Sequence, residues 1–203
     1  SIRRQRQMCI RDRYYMPRLI REFQDRYPGI KVQVKINTTA VVEKELLDGK
    51  LDLALVGGTI QSEHIVAEPL FYEKYTAICA PEHPMAGKTV LLEEFMKEPL
   101  LFREKSSGAY EVFQSAVNQT GLTVTPVWES TSQTTLMEAV HYGLGVTILP
   151  EQMIKREIRE GRLAQITFSD FSFQNTIHIA YHHSKYLSPS IKNFILLVKT
   201  LDF

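Results

Sequence analysis

The chain has 203 residues, 44% of them hydrophobic, and a formal net charge of +1. That is enough for one large or two small domains with a filled core, and no apolar run approaches the roughly 18 residues of a membrane helix. Five of the 24 Lys and Arg residues are Arg3, Arg4, Arg6, Arg11 and Arg13, so the remainder is slightly acidic and offers no basic face for following a nucleic acid backbone.

The elements are read from Met16 onward. "MPRLIREFQDRYPG" (16–29) spaces Met16, Leu19, Ile20, Phe23 and Tyr27 as a helical stripe. Pro17 suits its first turn and Pro28-Gly29 ends it. "IKVQVKI" (30–36) alternates strictly, which predicts a half-buried strand. "NTTAVVEKELLDG" predicts a helix carrying Val42, Leu46 and Leu47, capped at Thr38 or Thr39 and closed by Gly49. "LDLALV" (51–56) is a continuous apolar run suited to a buried parallel strand. "YEKYTAICA" (72–80) predicts a strand leading into the second half.

That half repeats the order. "PLLFRE" (99–104) predicts a strand, and "KSSG" precedes a helix from Ala109 to about Asn118, followed by Gly121. "LTVTPVWE" (122–129) predicts a strand, placed at an edge by Pro126. "STSQ" introduces the helix "TTLMEAVHY", which Gly143 and Gly145 end, and "VTILP" is a buried strand. "TIHIAYHH" (176–183) is a strand, and "SPSIKNFILLVKTL" (188–201) is a helix with Ser188 as cap and Pro189 in its first turn. Both halves read helix, glycine, strand, hydroxyl cluster, helix, glycine, strand. Two α/β lobes with parallel sheets follow, and ligands of such sheets sit off the C-terminal strand ends. Crossings near residues 80 and 180 would make a hinge, with a cleft between the lobes.

Three hydroxyl-rich turns carry the chemistry: Asn37-Thr38-Thr39, Ser106-Ser107-Gly108 and Ser130-Thr131-Ser132-Gln133. Each stands where a strand gives way to a helix, offering free N–H groups, a positive dipole end and hydroxyls to an anion or small polar ligand. Taken singly, each is equally a helix cap. Arg103 ends a strand beside Ser106-Ser107, where a guanidinium pairs with a carboxylate ligand or with Glu104 or Glu111. Thr147, in "VTILP", completes the expected ligand contacts.

Other residues read as structural. Cys9 and Cys79 form no disulfide framework and have no metal-type spacing, which fits a reducing cytoplasm. Cys79 and His83 imply no third catalytic group, and His182-His183 has no partner at ligand spacing. "GLG" (143–145) ends a helix rather than opening one, so no nucleotide cofactor is expected. No metal, no cofactor and no enzymatic constellation is expected, and no secretory signal or membrane contact.

The segments "MPRLIREFQDRYPGIKVQV", "LLDGKLDLALV", "PLFYEKYTAICAPEHPMAG", "REKSSG", "TLMEAVHYGLGVTILP" and "LSPSIKNFILLV", in that order and spacing, resemble the effector-binding region of LysR-type transcriptional regulators over about residues 14–203. The resemblance implies a periplasmic-binding-protein-like type II fold: two Rossmann-like lobes joined by two crossover strands. Lobe I is expected to be residues 14–80 with 181–203, and lobe II residues 81–180. It also implies a small-molecule effector in the cleft, a homodimer or homotetramer, and DNA binding only through a winged helix-turn-helix that residues before Tyr14 are too few to form. The implied dimer is side by side and antiparallel, with Val41, Val42 and Glu45 shared between interface and core. The alternative is a type II solute-binding protein of a transporter, which the LysR-like segments disfavour.

Residues 1–13 depart from that pattern. A central strand and a small or hydroxyl turn residue are expected there, between strands 30–36 and 51–56, yet only Met8, Cys9 and Ile10 are apolar together. "RQRQMCIRDR" resembles translated sequencing-adapter read-through, so the segment is read as non-native; a divergent strand and a DNA-binding arm are the other two readings. Met8–Ile10 is expected to form a short strand with Ser1–Gln7 trailing, or the whole segment to stay unpaired. Arg11 and Arg13 would stand where the family places a ligand-contacting turn.

Overall fold

The computed structural model describes residues 5–10 and 15–201. In chain order the elements are β1 (Gln5–Ile10), α1 (Tyr15–Arg26), β2 (Lys31–Lys35), α2 (Thr39–Leu47), β3 (Leu53–Gly57), β4 (Ile65–Cys79), β5 (Thr89–Val90), α3 (Leu92–Phe95) and β6 (Leu101–Arg103). They continue with α4 (Gly108–Asn118), β7 (Trp128–Ser130), α5 (Gln133–His141), β8 (Thr147–Pro150), α6 (Glu151–Arg159), β9 (Ala164–Phe168), β10 (Gln174–His182) and α7 (Pro189–Thr200). Contacts divide the chain into one unit of residues 1–72 and 176–203 and another of residues 73–175. The chain passes between them inside β4 and inside β10, at 72/73 and 175/176.

In the first unit the strand order is β2-β1-β3-β10-β4. β1 runs parallel to β2, from Gln5 opposite Lys31 to Cys9 opposite Lys35, and parallel to β3, with Met8, Cys9 and Ile10 opposite Leu53, Ala54 and Leu55. This is the central position expected for a first strand. It extends beyond Met8–Ile10, however: Gln5, Arg6 and Gln7 are paired rather than trailing. Backbone ladders use N–H and C=O groups that every non-proline residue carries, so an apolar run is not a condition for pairing. Arg3, Arg4, Arg11 and Arg13 lie outside the described residues.

β3 is buried at all five positions, as a parallel strand covered on both faces must be. Leu53 and Leu55 meet α1 and α7 through Met16, Leu19, Phe23, Ile191, Phe194 and Leu197, while Ala54 and Val56 meet Val42 and Leu46 of α2. Phe23 and Phe194 pack edge to face at 5.1 Å.

In the second unit β4 is flanked by β8 and β9, both antiparallel to it, and β5 pairs with β9. β6 and β7 are parallel, with Arg103 opposite Ser130. A parallel bridge from Leu100 to Val146 sets β6 beside the start of β8. Gly145 makes that approach possible: its φ is +159°, and a Cβ there would strike the Pro99 carbonyl and the Leu101 side chain. One face of this sheet packs Ala77, Ile148 and Ile166 against Phe95, Phe102, Phe113 and Phe173. The other packs Ile78 and Leu149 against Leu136, Val140, Met153 and Ile154 of α5 and α6.

Two expectations are corrected, and elements appear where none was expected. The strand over 122–129 is reduced to Trp128–Ser130. Pro126 has no N–H to donate and pairing begins with the Val127 N–H on the Leu100 carbonyl, while buried Val124 anchors the stretch before it by packing alone. The strand over 72–80 begins earlier, at Ile65, and contains Pro69. Residues 151–175, to which the sequence reading assigned nothing, hold α6 and β9; α6 buries Met153 and Ile154 and exposes Lys155, Arg156 and Arg159.

Candidate functional site

The second unit gathers two of the three hydroxyl turns by strand register. β6 and β7 are neighbours and both are followed by helices, so the N-termini of α4 and α5 stand at the same strand ends. The Glu104 N–H donates to the Ser130 carbonyl at 3.3 Å, tying one turn to the other. Two helix N-termini present their unsatisfied N–H groups here, with the positive ends of both dipoles.

The side chains divide into those occupied and those free. Ser107 is fully buried, and its Oγ accepts from the Tyr110 N–H at 3.1 Å. Ser132 caps α5 by accepting from the Thr135 N–H at 3.2 Å. The Ser130 Oγ accepts from the Ser132 N–H at 3.0 Å and lies 3.2 Å from the Ser132 carbonyl, to which it donates. Ser107, Ser130 and Ser132 therefore shape the turns. Ser106 and Thr131 are exposed, and Gln133 is half-buried at the start of α5; the side chains of these three make no hydrogen bond among the described residues.

Arg103 closes an ion pair with Glu104: Nε to Oε2 and Nη2 to Oε1, both 2.9 Å, with side chains 14% and 16% exposed. Of the two glutamates expected from sequence, Glu104 is the one the fold sets against it. Thr147 is wholly buried at the start of β8, and its hydroxyl has no hydrogen-bond partner among the described residues. It stands in the strand, not in a turn.

In the first unit, Thr38 caps α2 by position, with φ −70° and ψ 157°, but its side chain makes no cap hydrogen bond. Thr39 is buried, and its Oγ1 donates to the Gly57 carbonyl at 3.1 Å. That bond ties the start of α2 to the end of β3, and leaves Thr38 with the freer hydroxyl of the two.

Sequence reasoning missed one cluster. His64 stacks near His182 and His183, with ring centroids 6.3 Å and 5.2 Å away. The separation of 118 positions between His64 and His182 hides this contact from any spacing argument. Among the described residues no group of three His, Cys, Asp or Glu side chains is placed to hold a metal ion. No helix of the described residues is long and apolar enough to cross a membrane. Cys79 is buried, and burial pushes its thiol from 9.0 to about 11, with the charge of Glu98 adding to the effect.

Two α/β units with helix N-termini set at the ends of parallel strands are the parts of a periplasmic-binding-protein-like type II fold. The family model described as "LysR substrate binding domain" matches residues 10–201, and the chain belongs to that family. It is similar to the HTH-type transcriptional activator CmpR of Synechocystis sp. PCC 6803, at 29% identity over 189 residues, covering 90% of this chain and 60% of the relative. The regulatory domain of CcmR from Synechocystis PCC6803, solved in complex with 2-PG, has a TM-score of 0.87 at 22% identity, covering 96% of this chain and 95% of that one. The effector binding domain of QuiR, solved in complex with shikimate, has a TM-score of 0.84 at 17% identity, covering 97% and 95%. The chain spans about three fifths of the length of the curated relatives it matches, and those relatives are transcriptional regulators.

Proposed function

We propose that this chain is the effector-binding part of a LysR-type transcriptional regulator. It takes a small polar or anionic molecule, contacted in the second unit by Arg103, Ser106, Thr131 and Gln133. Occupancy then controls DNA binding by a helix-turn-helix elsewhere in the whole protein, in the cytoplasm and without catalysis. The observation that carries this reading is the pairing of β6 with β7, which sets two helix N-termini, preceded by the exposed Ser106 and Thr131, at neighbouring strand ends. Exposed N–H groups at helix N-termini favour anions, and the related domains CcmR and QuiR were solved with 2-PG and shikimate.

Assembly as a homodimer or homotetramer belongs to the same proposal. β2 is an edge strand, and Val34, Ile36 and Val41 are 42%, 59% and 44% exposed around it. Val42 is core, at 2% exposure, and Glu45 is half-buried and paired with Lys35 at 3.3 Å, so of the three residues expected at the interface Val41 is the one on the surface. A dimer by light scattering at tens of micromolar supports this assembly, and a monomer contradicts it.

A thermal-shift screen of the chain against amino acids, carboxylates and inorganic anions tests the binding claim. A ligand at a hundred times its Kd should stabilise the fold by about 2.7 kcal/mol. No stabilisation by any polar small molecule would contradict the reading.

A further inference from the structure

The second unit holds a cavity of about 360 Å³ that involves none of the ten residues the sequence suggested as effector contacts. Its floor is Ala77, Ile148 and Ile166, one residue from each of the three paired strands β4, β8 and β9. Four aromatic side chains, Tyr75, Phe168, Phe171 and Phe173, wall it. These rings are locked by edge-to-face neighbours: Tyr75 on Phe173 at 4.7 Å, Phe168 on Phe171 at 5.5 Å, and Phe113 behind Phe171 and Phe173 at 6.0 and 5.3 Å. The loop that carries Phe171 and Phe173 is pinned as well. The Asp170 carboxylate accepts from the Leu92 N–H at 2.9 Å, and the Ser169 N–H donates to the Val90 carbonyl at 3.0 Å. The walls are therefore held in place before any ligand arrives, and little ordering is left to oppose binding.

The rim sets the charge of what fits. Glu151 is paired with Lys155 at 3.3 Å. Lys74 lines the same cavity, is exposed, and has no ion pair among the described residues. Thr76, Thr167, Ser172 and Gln174 add hydrogen-bonding groups. A volume of this size, apolar and aromatic at the base with a few polar groups at the mouth, is that of a small-molecule pocket.

We propose that this cavity is a second small-molecule site, separate from the strand-end turns, for a flat aromatic ring system bearing an anionic group. The ring stacks on the phenylalanine walls, and the anion meets Lys74.

The test uses 2-naphthoate and its uncharged amide, titrated into the whole chain by calorimetry. The acid should bind saturably, one per chain, and more tightly than the amide. Lys74→Glu should weaken the acid at least roughly fivefold, whereas Ser106→Ala and Thr131→Val should leave it unchanged. Lys74 is exposed and has no ion pair among the described residues, so this variant should keep the thermal unfolding midpoint, which is measured in parallel. No saturable binding at millimolar 2-naphthoate overturns the proposal. So does binding that Lys74→Glu leaves intact, or binding that the two turn variants abolish, since the probe would then occupy the turns.

Discussion

Arg103 and Glu104 are neighbours in sequence and partners in space, joined by two parallel N–H···O bonds of 2.9 Å with both side chains mostly buried. A bidentate guanidinium–carboxylate pair of this kind leaves an uncompensated charge when one member is removed. Glu104→Gln should therefore lower unfolding stability by about 1–3 kcal/mol, read from the urea midpoint. It should also strengthen the binding of an anionic effector, because the guanidinium fork is released. A variant as stable as the parent, with the same anion affinity, would show that the pair does neither job.

Ser106 and Ser107 adjoin each other but should behave oppositely. Ser107 is buried and caps α4 through the Tyr110 N–H, so Ser107→Ala should cost about 1 kcal/mol. Ser106 is exposed, so Ser106→Ala should change stability by less than about 0.5 kcal/mol while weakening effector binding. Denaturant titrations of the two variants, set against their affinities, check the separation.

Gly145 admits no side chain. Its φ of +159° is strained for any other residue, and a Cβ would run into the Pro99 carbonyl, which accepts the Val146 N–H at 2.9 Å. Gly145→Ala should cost more than about 2 kcal/mol, because backbone must shift where β6 meets β8. Gly143 has open space around it and a φ of +72°, so Gly143→Ala should cost less, about 1 kcal/mol from conformation alone.

Cys79 carries a pH signature of known sign. Its thiol is held at about 11 in the fold against 9.0 ordinarily, through burial and the Glu98 charge. The folded state keeps the proton after the unfolded chain has lost it, so the contribution is complete below pH 9 and disappears as pH rises from 9 to about 11. The difference in stability between the parent and Cys79→Ala should shrink over that window by on the order of 2 kcal/mol. Alkylation of native protein at pH 8 should be slow, and fast in urea; fast labelling of the native chain would contradict the burial argument.

The sequence exposed the strand–helix alternation because its signals are local. The Met16–Tyr27 stripe and the apolar run at 51–56 need no tertiary context to be read. The strand expected at 122–129 failed because Val124 alternates for packing, whereas Pro126 and Val127 decide where the ladder starts. α6 and β9 were missed although α6 has a clear amphipathic pattern. Within the site, the positions of the hydroxyl turns were legible, but which hydroxyls are spent was not. That Ser107 and Ser132 cap their helices while Ser106 and Thr131 stay free depends on side-chain direction, which residue type does not encode. The aromatic cavity was invisible because Tyr75 of β4, Ile148 of β8 and Phe173 of the loop before β10 come from segments far apart in sequence.

Calorimetric titration of the chain with 2-PG, shikimate, inorganic phosphate and sulfate, repeated on a Ser106→Ala/Thr131→Val double variant, tests the central claim most directly. The account predicts saturable binding of at least one of these anions, weakened more than about threefold by the double variant, since each lost hydrogen bond is worth roughly 0.5–1.5 kcal/mol. An anion that binds with equal affinity to both proteins, or no binding of any of the four, would contradict it.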